Sequence, residues 1–178
     1  MQLRGERCIV RPWRRDDAES LAAHANNPRV ARQLRDRFPH PYTRRDAAEF
    51  LQRASVDAPL ADFAIEIEGR AAGGIGFVRG ADIERYAAEI GYWLGEPFWG
   101  RGAATEAVAL VTAHAFERWG LLRMFALPLA DNVASRRVLE KGGYTCEGVL
   151  RASCVKFGAP RDQALYARIN EKWGGPRE

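Results

Sequence analysis

Gly100 and Gly102 lie between an alternating apolar run, Glu-Ile-Gly-Tyr-Trp-Leu at 89–94, and an Ala-rich run that opens Ala103-Ala104-Thr105-Glu106. A strand turning into a helix at such a point brings unpaired N–H groups and the positive end of a helix dipole together, which makes an anion site. The two glycines let a bulky anion reach the backbone with no side chain in the way. A pyrophosphate is the natural guest. The turn lacks Gly-Lys-Ser/Thr, so it does not spell a nucleoside triphosphate loop. It also lacks Gly-x-Gly-x-x-Gly with a later acidic residue, so a dinucleotide fold is unsupported. Downstream, Asn132 and Ser135 are three residues apart; on a helix they share a face and look into one cleft.

The elements that must position these residues follow from pattern and punctuation. Residues 8–13 read as a first strand ending near Pro12, and Asp16 or Asp17 can cap a helix through about His24. Asn27-Pro28 starts a second helical piece to about Arg35. Residues 37–42 hold two prolines and must be loop. Thr43 with Asp46 opens a further helix to about Ala54. Residues 61–68 and 72–79 form a hairpin through Gly69-Arg70, with Gly first rather than second. A strand over 86–94, a long helix over 101–119, a strand over 124–129 and a helix over 132–141 follow, the last stopped by Gly142-Gly143. Residues 144–156 and 163–170 close the chain as an antiparallel pair. The expected fold is a mixed α/β sheet of about seven mostly antiparallel strands with flanking helices. One strand–helix–strand unit around Gly102 is parallel.

Composition narrows the function classes. The 178 residues suit one domain, expected to span 1–178, with 47% hydrophobic and 28% charged residues. No apolar run approaches ~20 residues, and the N-terminus lacks a secretory h-region, so a cytoplasmic protein is expected. Cys8, Cys146 and Cys154 show no Cys-x-x-Cys spacing, and neither a metal nor a disulfide framework is expected. The net charge of +4 comes from scattered arginines rather than a basic stripe, which argues against nucleic acid and suits an anionic ligand.

The turn matches the Gln/Arg-x-x-Gly-x-Gly/Ala loop of the GNAT acetyltransferases, with Trp99 at the first position, Gly102 at the fourth and Ala104 at the sixth. Asp131-Asn-Val-Ala-Ser-Arg-Arg-Val-Leu-Glu-Lys-Gly-Gly-Tyr144 resembles a second signature, Asn-x-x-Ser-x-x-x-Leu-x-x-x-Gly-Phe/Tyr, of the RimJ/RimL-type branch. Gly158-Ala-Pro-Arg-Asp162 leading to Tyr166, and the opening words Val10-Arg-Pro-Trp13 and Asp16-Asp17, are similar to that branch as well. The resemblance covers roughly the whole chain in one register. Three departures accompany it. Trp99 replaces a polar residue, Leu139 stands where many relatives carry a Tyr that acts as the acid, and residues 123–129 hold no counterpart to the catalytic Glu that some relatives place on that strand.

The resemblance implies direct transfer of acetyl from acetyl-CoA to a primary amine, either a protein N-terminus or a small molecule. The pantetheine arm would pair with the backbone of Tyr92, Trp93 and Leu94. The pyrophosphate would take amides from Gly100, Arg101, Gly102, Ala103, Ala104 and Thr105. Asn132 would bind the pantetheine, and Ser135 would face the sulfur as the acid for the leaving thiolate. A protonated amine is inert, so a base is needed, and Glu89 on the same strand is the candidate. Trp13, Phe38, His40 and Tyr42 fall on the acceptor side, while Asp162 reads as a structural residue of its hairpin. Members of the family occur as monomers and as homodimers. The rival class is a catalytically silent acyl-CoA sensor that kept the cleft, which Leu139 and the absent carboxylate over 123–129 keep open.

Overall fold

A computed structural model describes residues 2–54 and 60–175. Eight strands form one sheet: β1 (Leu3–Arg4), β2 (Ile9–Pro12), β3 (Leu60–Ile67), β4 (Arg70–Arg79), β5 (Ala87–Leu94), β6 (Arg123–Ala126), β7 (Thr145–Lys156) and β8 (Ala159–Ile169). Their spatial order is β1-β2-β3-β4-β5-β6-β8-β7. Among the described residues, only β5 and β6 run parallel. The helices are α1 (Ala18–Ala25), α2 (Pro28–Ala31), α3 (Arg44–Arg53), α4 (Ala103–Trp119) and α5 (Val133–Lys141). The expected mixed α/β architecture stands, with the short β1 as an eighth strand.

The hairpin between β3 and β4 turns one residue earlier than expected. Its two central residues are Glu68 and Gly69, both at positive φ (52° and 76°). Two consecutive positive φ values match the right-handed twist of the flanking strands, and Gly then stands second, where it costs least. Phe157 and Gly158 repeat the device between β7 and β8 (52° and 76°), so residues 159–162, expected as loop, are strand. The expected strand over 124–129 ends at Ala126, with Leu129 making an isolated bridge to Gln163. The second helical piece is also shorter than expected: α2 stops at Ala31, with turns beyond it.

Asp17 does not cap α1. Its carboxylate receives both terminal nitrogens of the buried Arg11, each at 2.7 Å, and the Arg14 amide. The Arg11 Nε reaches Glu66 on β3, which makes this charge cluster the joint between β2, β3 and the turn into α1. Thr43 does cap α3: its hydroxyl and the Asp46 carboxylate bond reciprocally across the first turn.

α4 packs on one sheet face through Ala103, Ala107, Val108, Val111, Thr112 and Ala115, a helical spacing of small and branched residues. It stops at Gly120 in the left-handed region (φ 61°). Thr112 meets the Tyr144 hydroxyl at 2.7 Å inside the core, tying α4 to the start of β7. On the other face, α1 and α3 cover an apolar cluster of Leu21, Ala22, Ala25, Tyr42 and Ala47, joined by Trp13, Phe38, Phe50 and Trp93.

The first turn of α4 is held against the β1–β2 connection by one carboxylate. Glu106 accepts the backbone N–H groups of Glu6, Arg7 and Cys8 at 2.8–2.9 Å. Burial opposes ionisation of Glu106, yet the amides of Arg7 and Glu6 and the contacts with Cys8 hold its carboxyl below the usual range. A folded pKa below the unfolded one gives stability that is present above the ordinary carboxylate pKa of about 4.3 and is lost as pH falls through the folded value. Glu106→Ala is expected to cost about 2 kcal/mol in urea unfolding at pH 7, a difference that shrinks below pH 4 as the wild-type carboxylate is protonated.

Candidate active site

β5 and β6 pair over three positions only, Ala87 with Arg123, Ala88 with Met124 and Glu89 with Phe125. Beyond Glu89 the strands part. The chain after β6 stays with β8, since the Ala164 amide donates to the Pro128 carbonyl at 2.9 Å and the Gln163 side chain to the Leu127 carbonyl at 2.9 Å. Pro128 has no N–H to offer β5. The β5 edge beyond Glu89 therefore has no strand on that side, only the Leu94 carbonyl being claimed by a side chain, and an extended ligand can add to it as a strand would.

At the C-terminal end of β5 the chain turns into α4. Gly100 (φ 76°) and Gly102 (φ 82°) are both left-handed, and Gly102 occupies the N-cap position. No side chain caps α4, so the Ala103, Ala104 and Thr105 amides face outward at the positive end of a 17-residue helix. Gly100, Arg101 and Gly102 are exposed. A Cβ on Gly102 would come within 3.1 Å of the Arg7 side chain, which places a guanidinium beside the turn. Trp99 ties the turn to the strand: its indole N–H donates to the Leu94 carbonyl at 2.6 Å, and Arg29 lies over its ring. Trp99 thus serves the loop as a backbone anchor.

α5 faces the same opening from the β8 side. Asn132 is its N-cap and accepts the Ser135 amide at 3.1 Å. That leaves its NH₂ group to donate outward. Arg136 and Glu140 both engage the buried Tyr166 hydroxyl, at 3.1 and 2.7 Å, and pin α5 to β8. Leu139 is fully buried and packs in the core, so the position where many relatives carry a Tyr acid offers no hydroxyl here.

Tyr92 supplies what the spacing of Asn132 and Ser135 did not show. Alternation along β5 sends Ala88, Ile90 and Tyr92 toward α4 and α5, and the Tyr92 hydroxyl stands 2.8 Å from the Ser135 hydroxyl and 3.1 Å from its carbonyl. Burial pushes the Tyr92 phenol up, outweighing the bond to Ser135, so it holds its proton throughout the neutral range. Two hydroxyl groups from facing elements therefore meet at the mouth of the split.

The opposite face of β5 carries Glu89, Gly91 and Trp93. Glu89 pairs with Arg35, from the segment after α2. Trp93 packs edge-on against Phe38 at 5.5 Å between ring centroids, and Phe38 lies 5.0 Å from Tyr42. Trp13 packs edge-on against Phe50 at 5.3 Å and reaches the same cluster. The structure thus brings Trp13, Phe38, Tyr42 and Trp93 together, while His40 is exposed. His114 packs on Trp119 and His24 on Phe98, both outside the cleft. Asp162 accepts the Ala152 amide at 2.8 Å, as a structural residue of its hairpin would. Among the described residues no cluster of His, Cys, Asp and Glu could hold a metal ion, and no helix is long and apolar enough to cross a membrane.

Among curated proteins, the chain is 38% identical over 100 residues to the uncharacterized N-acetyltransferase YoaA of Bacillus subtilis, covering 56% of each chain. It is 37% identical over 83 residues to the ribosomal-protein-serine acetyltransferase of Escherichia coli, covering 46% of each. The chain thus spans about half the length of these two relatives. In three dimensions it superposes on Mycobacterium smegmatis RimJ in complex with CoA-disulfide with a TM-score of 0.83 at 25% identity, over 94% of this chain and 84% of that one. The acetyltransferase (GNAT) domain model matches residues 7–145, which include the split strands, the uncapped helix and the Asn132–Ser135 face, and the chain belongs to the GNAT acetyltransferase family.

Proposed function

We propose that this chain is an acetyl-CoA-dependent N-acetyltransferase that transfers acetyl directly to a primary amine, either a protein N-terminus or a small molecule, in a ternary complex. The observation that carries this reading is the open β5 edge leading to the uncapped α4 N-terminus, with the Tyr92–Ser135 hydroxyl pair at the split. The bound coenzyme named for the RimJ structure and the ribosomal-protein acceptor named for the Escherichia coli relative support it.

Each part has a physical role. The pyrophosphate takes amides of the turn from Gly100 to Thr105, where backbone N–H groups and the helix dipole favour negative charge. The pantetheine arm pairs with β5 at Tyr92, Trp93 and Leu94, with Asn132 donating from the opposite wall. A β5 amide lies where the thioester oxygen gains charge. Ser135 protonates the departing thiolate, and Tyr92, kept protonated by burial, replaces that proton through the hydroxyl–hydroxyl bond. The amine enters from the aromatic face, where Trp13, Phe38, Tyr42 and Trp93 wall a space beside Glu89.

The burial of Leu139 favours a second reading, a sensor that binds acyl-CoA without turnover. Thermal melting and turnover separate the two. Acetyl-CoA at ~100 times its dissociation constant adds about 2.7 kcal/mol, which raises the melting temperature of a chain this size by about 5–10 °C. Gly102→Ala puts a Cβ at a left-handed position against Arg7 and is expected to remove most of that rise. Absence of any rise in the wild type would sink the cofactor assignment.

Ser135→Ala is expected to lower kcat by roughly 100-fold at little change in the acetyl-CoA KM. Tyr92→Phe keeps the ring and removes only the proton source, so a smaller loss of about tenfold is expected. A rise on acetyl-CoA binding, with no N-acetyl product from any amine by mass spectrometry, would favour the sensor.

A further inference from the structure

Three glycines line up beside the aromatic wall, and each meets a different environment. Register places Gly74 opposite Trp93 and Gly76 opposite Gly91, with Asp62 of β3 opposite Gly76 on its other side. Directly opposed residues of antiparallel strands share a face, so Asp62, Gly76 and Gly91 form one row across three strands. That face is the one carrying Glu89 and Trp93.

A Cβ on Gly74 would strike the Trp93 indole nitrogen at 2.7 Å and the Trp13 ring at 3.1 Å; two indoles already fill that space. A Cβ on Gly76 would strike the Ala61 carbonyl oxygen at 2.4 Å and the Asp62 Oδ1 at 2.7 Å. The Asp62 carboxylate therefore lies folded over Gly76, at a spot that only a residue without a side chain leaves free. A Cβ on Gly91 meets nothing within 4 Å, and Gly91 is exposed. The row runs from a carboxylate over a bare floor into open space, and it ends beside Tyr92, where β5 has already parted from β6.

The carboxylates of this face differ in engagement: Glu66 is taken by Arg11. Glu89 is held by Arg35 in an ion pair. Asp62 is half-buried and makes no hydrogen bond or ion pair with another described residue. The charged group that acts on it is Arg37, from the segment before α3; the neighbouring ion pairs Arg35–Glu89 and Lys156–Asp36 are each closed on themselves. β4 offers only Gly76 and Val78.

We propose that Asp62 is the acceptor-side catalytic carboxylate: it receives the incoming primary ammonium group over Gly76 and Gly91 and takes its first proton. The proposal rests on the acetyltransferase reading above and names the acceptor class as a primary amine that arrives charged. Burial pushes the Asp62 carboxyl up, with Arg37 opposing, so its proton affinity exceeds that of an ordinary carboxylate.

The step balances. R–NH₃⁺ gives one proton to the Asp62 carboxylate and becomes R–NH₂, and Asp62 returns that proton to solvent. The nitrogen lone pair forms a C–N bond to the thioester carbon, and the C–S bond breaks with its electron pair on sulfur. The thiolate takes a proton from Ser135, and the second proton lost by the nitrogen restores the hydroxyl pair. One proton is released per acetyl transferred.

The test is steady-state kinetics of Asp62→Asn, Glu89→Gln, Gly91→Val and wild type from pH 6.5 to 10. Two acceptors are used, a short peptide with a free α-amine and a linear diamine, and acetyl-CoA-dependent melting of each protein is recorded alongside. Asp62→Asn is expected to keep the acetyl-CoA melting rise and lose about 100-fold in kcat/KM for the amine at pH 7. The deficit shrinks as pH approaches the amine's own pKa, about 7.7–8.0 for the α-amine and about 10.4 for an alkylamine, because a neutral amine needs no base. Glu89→Gln is expected to lose under tenfold. Gly91→Val fills the open space and is expected to raise the amine KM at least tenfold with the melting rise intact, which decides the matter should Asp62→Asn not fold.

Asp62→Asn within twofold of an active wild type, or a deficit that is flat from pH 6.5 to 10, would overturn the assignment alone. A Gly91→Val enzyme with the wild-type amine KM would overturn the placement of the acceptor. A wild type that melts higher with acetyl-CoA yet acetylates neither amine would overturn it together with the transferase reading.

Discussion

Everything at this site depends on β5 and β6 failing to stay together. A parallel pair that continued past Glu89 and Phe125 would satisfy its own backbone and leave no room for a ligand. The separation is written into β6. Pro128 cannot donate, and the backbone around it is already claimed by β8, through Ala164 to the Pro128 carbonyl and Ala130 to the Asp162 carbonyl. Once the chain is committed to β8, the β5 edge has no strand to meet. α5 then descends on the far wall, fixed by Arg136 and Glu140 to Tyr166, and brings Ser135 against Tyr92 across the gap.

The aromatic face of β4 and β5 has a different foundation, a buried charge cluster. Arg11 is 1% exposed and gives both ends of its guanidinium to Asp17 and its Nε to Glu66. Burying such a group costs several kcal/mol of desolvation, which a fork-to-carboxylate geometry with additional bonds offsets. The cluster contributes position: it fixes the turn that launches α1, and α1 with α3 closes the aromatic cluster over the open face of β4 and β5. Asp17 cannot serve both as helix cap and as partner to a buried guanidinium, and the buried charge prevails.

The parts of the site made from backbone were legible in the sequence. Gly100 and Gly102 spell a left-handed turn before a helix, and Asn132 with Ser135 spells a cap and a second group on the same face. The hairpin turns were misplaced by one residue at Gly69 and by more at Gly158, because a Gly marks a turn without saying whether it stands first or second in it. Tyr92 was legible as backbone only. Its hydroxyl role depends on which way alternation points the ring and on α5 arriving opposite, and neither is set by local sequence. The partner of Glu89 was not legible for the same reason: Arg35 comes from a segment that only the packing of the helices brings over the sheet.

Asp62 was invisible to motif reasoning because nothing local marks it. It is one polar residue in an apolar strand, and its meaning comes from being level with Gly76 and Gly91. Strand register carries that meaning strictly. A slip of one residue in β3 would turn Asp62 to the core face, where Ala61, Phe63 and Ile65 now sit, and bring one of those apolar residues over the glycine floor. The same apolar trio therefore holds the carboxylate in place, since burying it correctly leaves Asp62 no other side to face. The proposed chemistry on the acceptor side would thus be enforced by the core beneath it. On the cofactor side it is enforced by hydrogen bonds that the fold leaves unmade.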